Sequence, residues 1–168
     1  MSRWADWFPL SSAEAEQLVA ASSSDAVGVL LDPWLERMED LPLHVEMDKA
    51  WEPIHRCLTA DGAAAHELDV TAGEYPLNLC ILGGKQLRLE GHRTAAVVAA
   101  EDVPAVAAAL ARVTKHWFRT RFFAIPDDQF HEIDEQSFEW AWGEFESLPA
   151  FFAEVAEYGG AVVCTISH

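Results

Sequence analysis

A chain of 168 residues, with 51% apolar and 23% charged side chains, has the make-up of one soluble globular domain large enough to bury a core. Its 28 acidic residues against 11 lysines and arginines leave a formal net charge of −17. That field argues against nucleic acid and anionic membrane as partners and favours basic ones.

The first elements follow from local pattern. Arg3 to Pro9 is short and aromatic and reads as a first strand. Ser11 and Glu14 have capping-box spacing, which predicts a helix from Ser12 to about Ala21, broken by Ser22-Ser23-Ser24-Asp25. Val27, Leu30, Leu31, Trp34, Leu35 and Met38 keep a helical period, although Asp32-Pro33 is also a natural break. Leu41 to Glu46 reads as extended. Around Asp48 to Thr59 a helix is expected, with Met47, Trp51, Ile54 and Leu58 on its apolar arc and Asp48, Glu52, His55 and Thr59 on the adjoining polar arc. Asp48 is a natural N-cap. Pro53 then requires either a start nearer Ala50 or a kink.

A polar loop runs to Tyr75. Leu77 to Leu82 is an apolar run stopped by Gly83-Gly84 and reads as a buried strand. Thr94 to Ala99 is a second such run. Val103-Pro104 opens a helix with Val103, Val106, Leu110 and Val113 as its buried stripe. Asp127-Asp128 is placed to cap a short helical turn. Phe138, Trp142, Phe145, Leu148, Phe152 and Val155 predict one long amphipathic helix, bent at Pro149 and ended by Gly159-Gly160. Ala161 to Ile166 closes the chain as a strand. Helices outweigh scattered strands, so the expected fold class is α+β. The expectation is a single domain over 1–168, with a small mixed or antiparallel sheet packed by several helices, and a long C-terminal helix followed by a final strand.

Asp48-Lys49-Ala50-Trp51 with Ile54-His55, then Leu58-Thr59, then Pro76-Leu77 before Ile81-Leu82-Gly83-Gly84, resemble the YfbM-like family of bacterial proteins. The long aromatic helix, the paired glycines and the last apolar strand complete the likeness, which covers the chain from about Trp7 onward. The resemblance implies one α+β domain, bacterial and cytosolic. The family is one of unknown function, and it brings no reaction, cofactor or catalytic residue. The chain departs from it at Leu58-Thr59-Ala60-Asp61-Gly62, at Pro53, and between Phe118 and Gln136.

The residues themselves offer one candidate site. An acid beside an imidazole raises its pKa and fixes its tautomer, so Asp48, Trp51, Glu52 and His55 form a possible ligand-binding or catalytic edge at the rim of the core. A purely structural role, with Asp48 as a cap and His55 packed on Trp51, accounts for the same pattern. His92 and Arg93 join this edge if their loop folds back over the helix; otherwise Arg93 pairs with a surface acid. Seven histidines show no HxH, HxxxH or HExxH spacing; His44-Val45-Glu46-Met47-Asp48 could place three ligand types on one strand face, and His131-Glu132-Ile133-Asp134 is similar in content, but without ligand spacing no metal and no cofactor are expected. There is no GxSxG elbow. On a helix Cys57 points about 160° away from His55, which argues against a Cys–His pair. Cys57, Cys80 and Cys164 form no CxxC and no disulfide framework. Met1 to Leu10 lacks the apolar core of a secretory signal, and no run is apolar enough to span a membrane, so the cytoplasm is the expected compartment.

Two readings of function stand. One is a non-catalytic binding module that meets a basic protein through an acidic surface; from Phe122 to His168 there are ten acids and no lysine or arginine. The other is a small-molecule enzyme or ligand-binding domain using the Asp48, Glu52 and His55 face. A homodimer through an exposed aromatic face is a further expectation.

Overall fold

The computed structural model describes residues 4–59, 69, 72–126, 130 and 132–167. Five antiparallel strands form one sheet in the order β2-β1-β5-β4-β3. They are β1 (Trp4–Leu10), β2 (Val45–Met47), β3 (Lys85–Gln86), β4 (Arg93–Val98) and β5 (Ala161–Ser167). The closing strand therefore lies at the centre, paired along its whole length with β1 from Trp4↔Ser167 to Leu10↔Ala161. Its continuous apolar run follows from that place, because both faces of the sheet are covered.

Side chains alternate between the two faces. Ala5, Trp7, Met47, Val98, Val162, Cys164 and Ile166 pack into the larger cluster with five helices. These are α3 (Trp51–Thr59), α4 (Val103–Leu110), α5 (Lys115–Phe122), α6 (Glu135–Phe145) and α7 (Ser147–Glu157). Phe8, Leu10, Ala95, Val97, Ala161 and Val163 pack on the other face beneath α1 (Ser12–Ala20) and α2 (Ser24–Leu35). The fold class is α+β. The capping box of α1 is present in full: Glu14 N donates to the Ser11 hydroxyl at 3.2 Å, and Ser11 N to the Glu14 carboxylate at 2.8 Å. Helix α2 runs unbroken through Pro33.

Two expectations are corrected. Leu77 to Leu82 is no strand. It is a 3₁₀ turn over Leu77–Leu79 followed by a turn, and its residues are apolar because they lie in the larger core. A short buried run of this kind does not by its pattern distinguish strand from turn. The Trp7 indole N–H fixes it by donating to the Cys80 carbonyl at 2.8 Å. Gly84 lies so close to β4 that an added Cβ would sit 2.4 Å from the Val97 carbonyl oxygen. The second correction concerns the long helix, which is two helices joined at Glu146. Continuation would bring the Pro149 ring against the Phe145 carbonyl four residues back, where an N–H is also needed, so the chain breaks one turn before the proline rather than at it. Pro149 then sits in the first turn of α7, where no N–H is required. The buried stripe survives the break, with Phe138, Phe145, Leu148, Phe152 and Val155 all in the core.

Gly159 (φ +71°) ends α7 in a Schellman turn, with Gly160 N donating to Val155 O and Gly159 N to Ala156 O. Asp127-Asp128 lies outside the described residues.

Candidate functional site

The helix read as the site begins at Trp51. Asp48 does not cap it with its side chain. Instead the Asp48, Lys49 and Ala50 carbonyls accept from Trp51, Glu52 and Ile54, which places Pro53 in the first turn, where it is tolerated without a kink. Trp51 faces the core at 1% exposure, as its arc requires.

His55 does not lie at the rim; it is 1% exposed. Its Nε2–H donates to the Asp69 carbonyl at 3.1 Å, which leaves Nδ1 as a buried acceptor without a partner among the described residues. Burial pulls its pKa below the ordinary imidazole value, the Asp69 carbonyl opposes that, and Arg56 adds to it. Glu52 is turned to Arg56 in a 3.0 Å ion pair one helical turn away. Thr59 donates to the His55 carbonyl at 2.7 Å and not to its ring. Asp48 is half-buried with one carboxylate oxygen lacking a partner. Among the described residues, His55 lines none of the three cavities around Trp117, Asp6 and Asp32.

His92 and Arg93 are not brought to this helix. His92 is exposed, and Arg93 pairs at 3.1 Å with Asp32 of α2, on the face of the sheet opposite α3. The fold-back needed to unite them with His55 is absent because β4 runs straight from Arg93 into the sheet. Among the described residues no group of three or more histidine, cysteine, aspartate or glutamate side chains is arranged to hold a metal ion. Cys57, Cys80 and Cys164 are buried free thiols, and burial pushes all three pKa values well above the ordinary range, which leaves them inert as nucleophiles.

A different constellation lies on the other face. Trp4, Asp6, Phe8 and Leu10 alternate to the side that α1 and α2 cover. Phe8 and Leu10 lie beneath those helices. Asp6 lies past them, where α2 has ended and the 3₁₀ turn Met38–Asp40 crosses. A cleft of about 450 Å³ opens there, lined by Trp4, Asp6, Leu35, Glu36, Met38, Glu39 and Glu46.

Asp6 is 6% exposed, and among the described residues no hydrogen bond or ion pair reaches its carboxylate. Its sheet neighbours are Glu46 on β2 and Thr165 on β5. Burial, then the charge of Glu46, raise its pKa from 3.8 to about 6, and His44 offsets part of this. Glu36, Glu39 and Glu46 likewise have no ion-pair partner among the described residues. Arg37, the one lysine or arginine between Glu36 and Glu46, is turned along the helix: its Nε donates to the Pro33 carbonyl at 3.1 Å and its guanidinium stacks over Trp34 at 5.5 Å. The result is four carboxylates beside a Trp4 indole that is 41% exposed.

This cleft was missed in the sequence. The one available signal was an acid at an inward position of the strand Trp4-Ala5-Asp6-Trp7-Phe8.

A family model described as a domain of unknown function (DUF1877) matches residues 1–165. The chain belongs to this family. Its fold also occurs in a solved structure, the crystal structure of YfbM, a protein of unknown function from Escherichia coli. That structure superposes with a TM-score of 0.67 at 18% identity over 99% of each chain. At that identity the likeness shows a shared fold. No curated protein matches the chain. Family membership thus carries no ligand and no reaction to the cleft, which rests on its own geometry.

Proposed function

We propose that the chain is a non-catalytic, cytosolic bacterial protein-binding module that engages a basic protein, with the cleft around Asp6 as its anchor. One observation carries this reading: Asp6 is buried at the back of an open cleft, without a hydrogen-bond partner, among three further carboxylates. A carboxylate so largely withdrawn from water, reaching it only through the cleft, is costly to ionise. A lysine or arginine side chain entering the cleft would supply the missing partner, with its cation against the Trp4 face and its donors on the acids. The net charge of −17 would steer a basic partner toward the surface. The acids of α6 contribute less than their number suggests, since Glu139 and Glu135 are paired with Lys115 and Arg119 of α5. Among the described residues no helix is long and apolar enough to cross a membrane.

The test is binding of a short arginine-rich peptide, followed by Trp4 fluorescence and calorimetry. We expect 1:1 binding that weakens at least tenfold between about 0.05 and 0.5 M salt, as the Debye length shrinks. Asp6→Asn should weaken it at least tenfold, whereas Glu154→Gln on α7 should leave it unchanged. Binding insensitive to Asp6→Asn, or equal binding of a peptide with citrulline in place of arginine, would refute the assignment.

A further inference from the structure

A cavity of about 770 Å³ has the opposite character to the Asp6 cleft. It opens between the C-terminal end of α3, residues 72–77 and the junction of α4 with α5. In a chain with 28 acids and 11 lysines and arginines, the described residues that line this cavity include two arginines, Arg112 and Arg121, and one acid, Glu74. Leu58, Leu77, Val113 and Trp117 give it apolar walls.

We propose that this cavity binds a small organic anion with an apolar body, its head on Arg112 and its body on Trp117. Trp117 is set in place from two sides. Its backbone N–H donates to the Thr114 hydroxyl that caps α5, at 3.1 Å, and the Arg121 guanidinium stacks over its ring at 4.5 Å. Arg121 is itself anchored, its Nε donating to the Cys57 carbonyl at 2.5 Å. The opposite wall is tied down where the Tyr75 hydroxyl donates to the Asp102 carboxylate at 3.0 Å. Arg112 differs from its neighbour: it is exposed at the mouth, and among the described residues no carboxylate pairs with it. A guanidinium offers a planar fork of donors that fits carboxylate, sulfonate or phosphate oxygens. The volume is that of a pocket for a drug-sized ligand, and an apolar lining with a few placed polar groups is the usual make-up of such pockets. The head is fixed by its charge alone, while the body separates an aromatic carboxylate from free inorganic phosphate.

The experiment titrates the full chain with 8-anilinonaphthalene-1-sulfonate, an aromatic body bearing one sulfonate, and follows its fluorescence and energy transfer from tryptophan. Saturable 1:1 binding is expected, displaced by benzoate and not by the same concentration of inorganic phosphate. Arg112→Glu should weaken it at least tenfold, and Ala109→Trp, which fills the cavity without touching a charge, should abolish it. Circular dichroism and an unchanged melting temperature serve to exclude dye binding to a loosened core. Absence of saturable binding, binding indifferent to both variants, or displacement by phosphate as effective as by benzoate would each overturn the proposal. This site stands apart from the Asp6 cleft, so neither result bears on the other.

Discussion

Replacing Asp6 by asparagine keeps the shape of the side chain and removes its charge. In the folded chain the Asp6 carboxyl has a pKa of about 6 against 3.8 for an ordinary aspartate, through burial and then the nearby charge of Glu46. The proton therefore binds the folded state more tightly than the unfolded one. Stability from this group is fully present below pH 3.8 and is lost as pH rises through 6. A shift of about two units, at 1.36 kcal/mol each, makes the ionised carboxylate cost about 3 kcal/mol above pH 7. Asparagine escapes that cost but buries an amide, so a net gain of about 1–3 kcal/mol is expected at pH 7.5 and close to none at pH 4. For a chain of this length that is a rise in Tm of roughly 3–10 °C at pH 7.5. Calorimetric or urea melts of both proteins at pH 4, 6 and 7.5 measure it. The same variant is expected to lose the arginine-rich peptide, the trade of stability for function that a binding site built on an uncompensated charge implies. An Asp6→Asn protein that is less stable at pH 7.5, or that gains as much at pH 4 as at pH 7.5, would show the carboxylate to be a structural acceptor and refute the reasoning.

Glu46→Gln removes the second cause of the Asp6 shift, so the Asp6 carboxyl should titrate lower, by carboxyl NMR, and the protein should gain a smaller share of the same stability at pH 7.5. His55 runs the other way: its folded pKa lies below the ordinary 6.5, so the stability it contributes is present above 6.5 and is lost as pH falls through the folded value. Its imidazole should stay neutral in NMR spectra at pH 6.5, and a histidine titrating above that value at this position would contradict the burial described. Gly84→Ala places a Cβ against the Val97 carbonyl, and a loss of about 1–3 kcal/mol in urea melts is expected from the forced separation of the turn from β4. Lys115→Ala removes an exposed pair with Glu139 and should change stability by less than about 1 kcal/mol.

Much of the architecture was legible where local chemistry decides it. Ser11 and Glu14 announce α1, and Gly159-Gly160 announces the end of α7. The apolar run Ala161 to Ile166 announces a strand buried on both sides. What failed was legible only in three dimensions. Leu77 to Leu82 carries a strand-like pattern because it is buried, while the neighbouring Trp7 indole and the close approach at Gly84 determine its actual shape. Trp51 was placed correctly on the apolar arc of α3. The depth of His55 could not be read, because it depends on the Asp69 carbonyl fourteen residues on. The Asp6 cleft draws Trp4 and Asp6 from the first strand, Glu36 and Glu39 from the end of α2 and beyond, and Glu46 from an edge strand. No spacing in the chain unites these residues; the sheet order does.

The most direct measurement is the titration of the Asp6 side-chain carboxyl carbon by NMR, with and without the arginine-rich peptide. Alone, the midpoint should fall near 6. With peptide bound it should drop by about one unit or more toward the ordinary carboxylate range, as a cation favours the ionised form. A midpoint near 4 in the unliganded chain, or one near 6 that the peptide leaves unmoved, would contradict the view that this cleft is built to receive a positive charge.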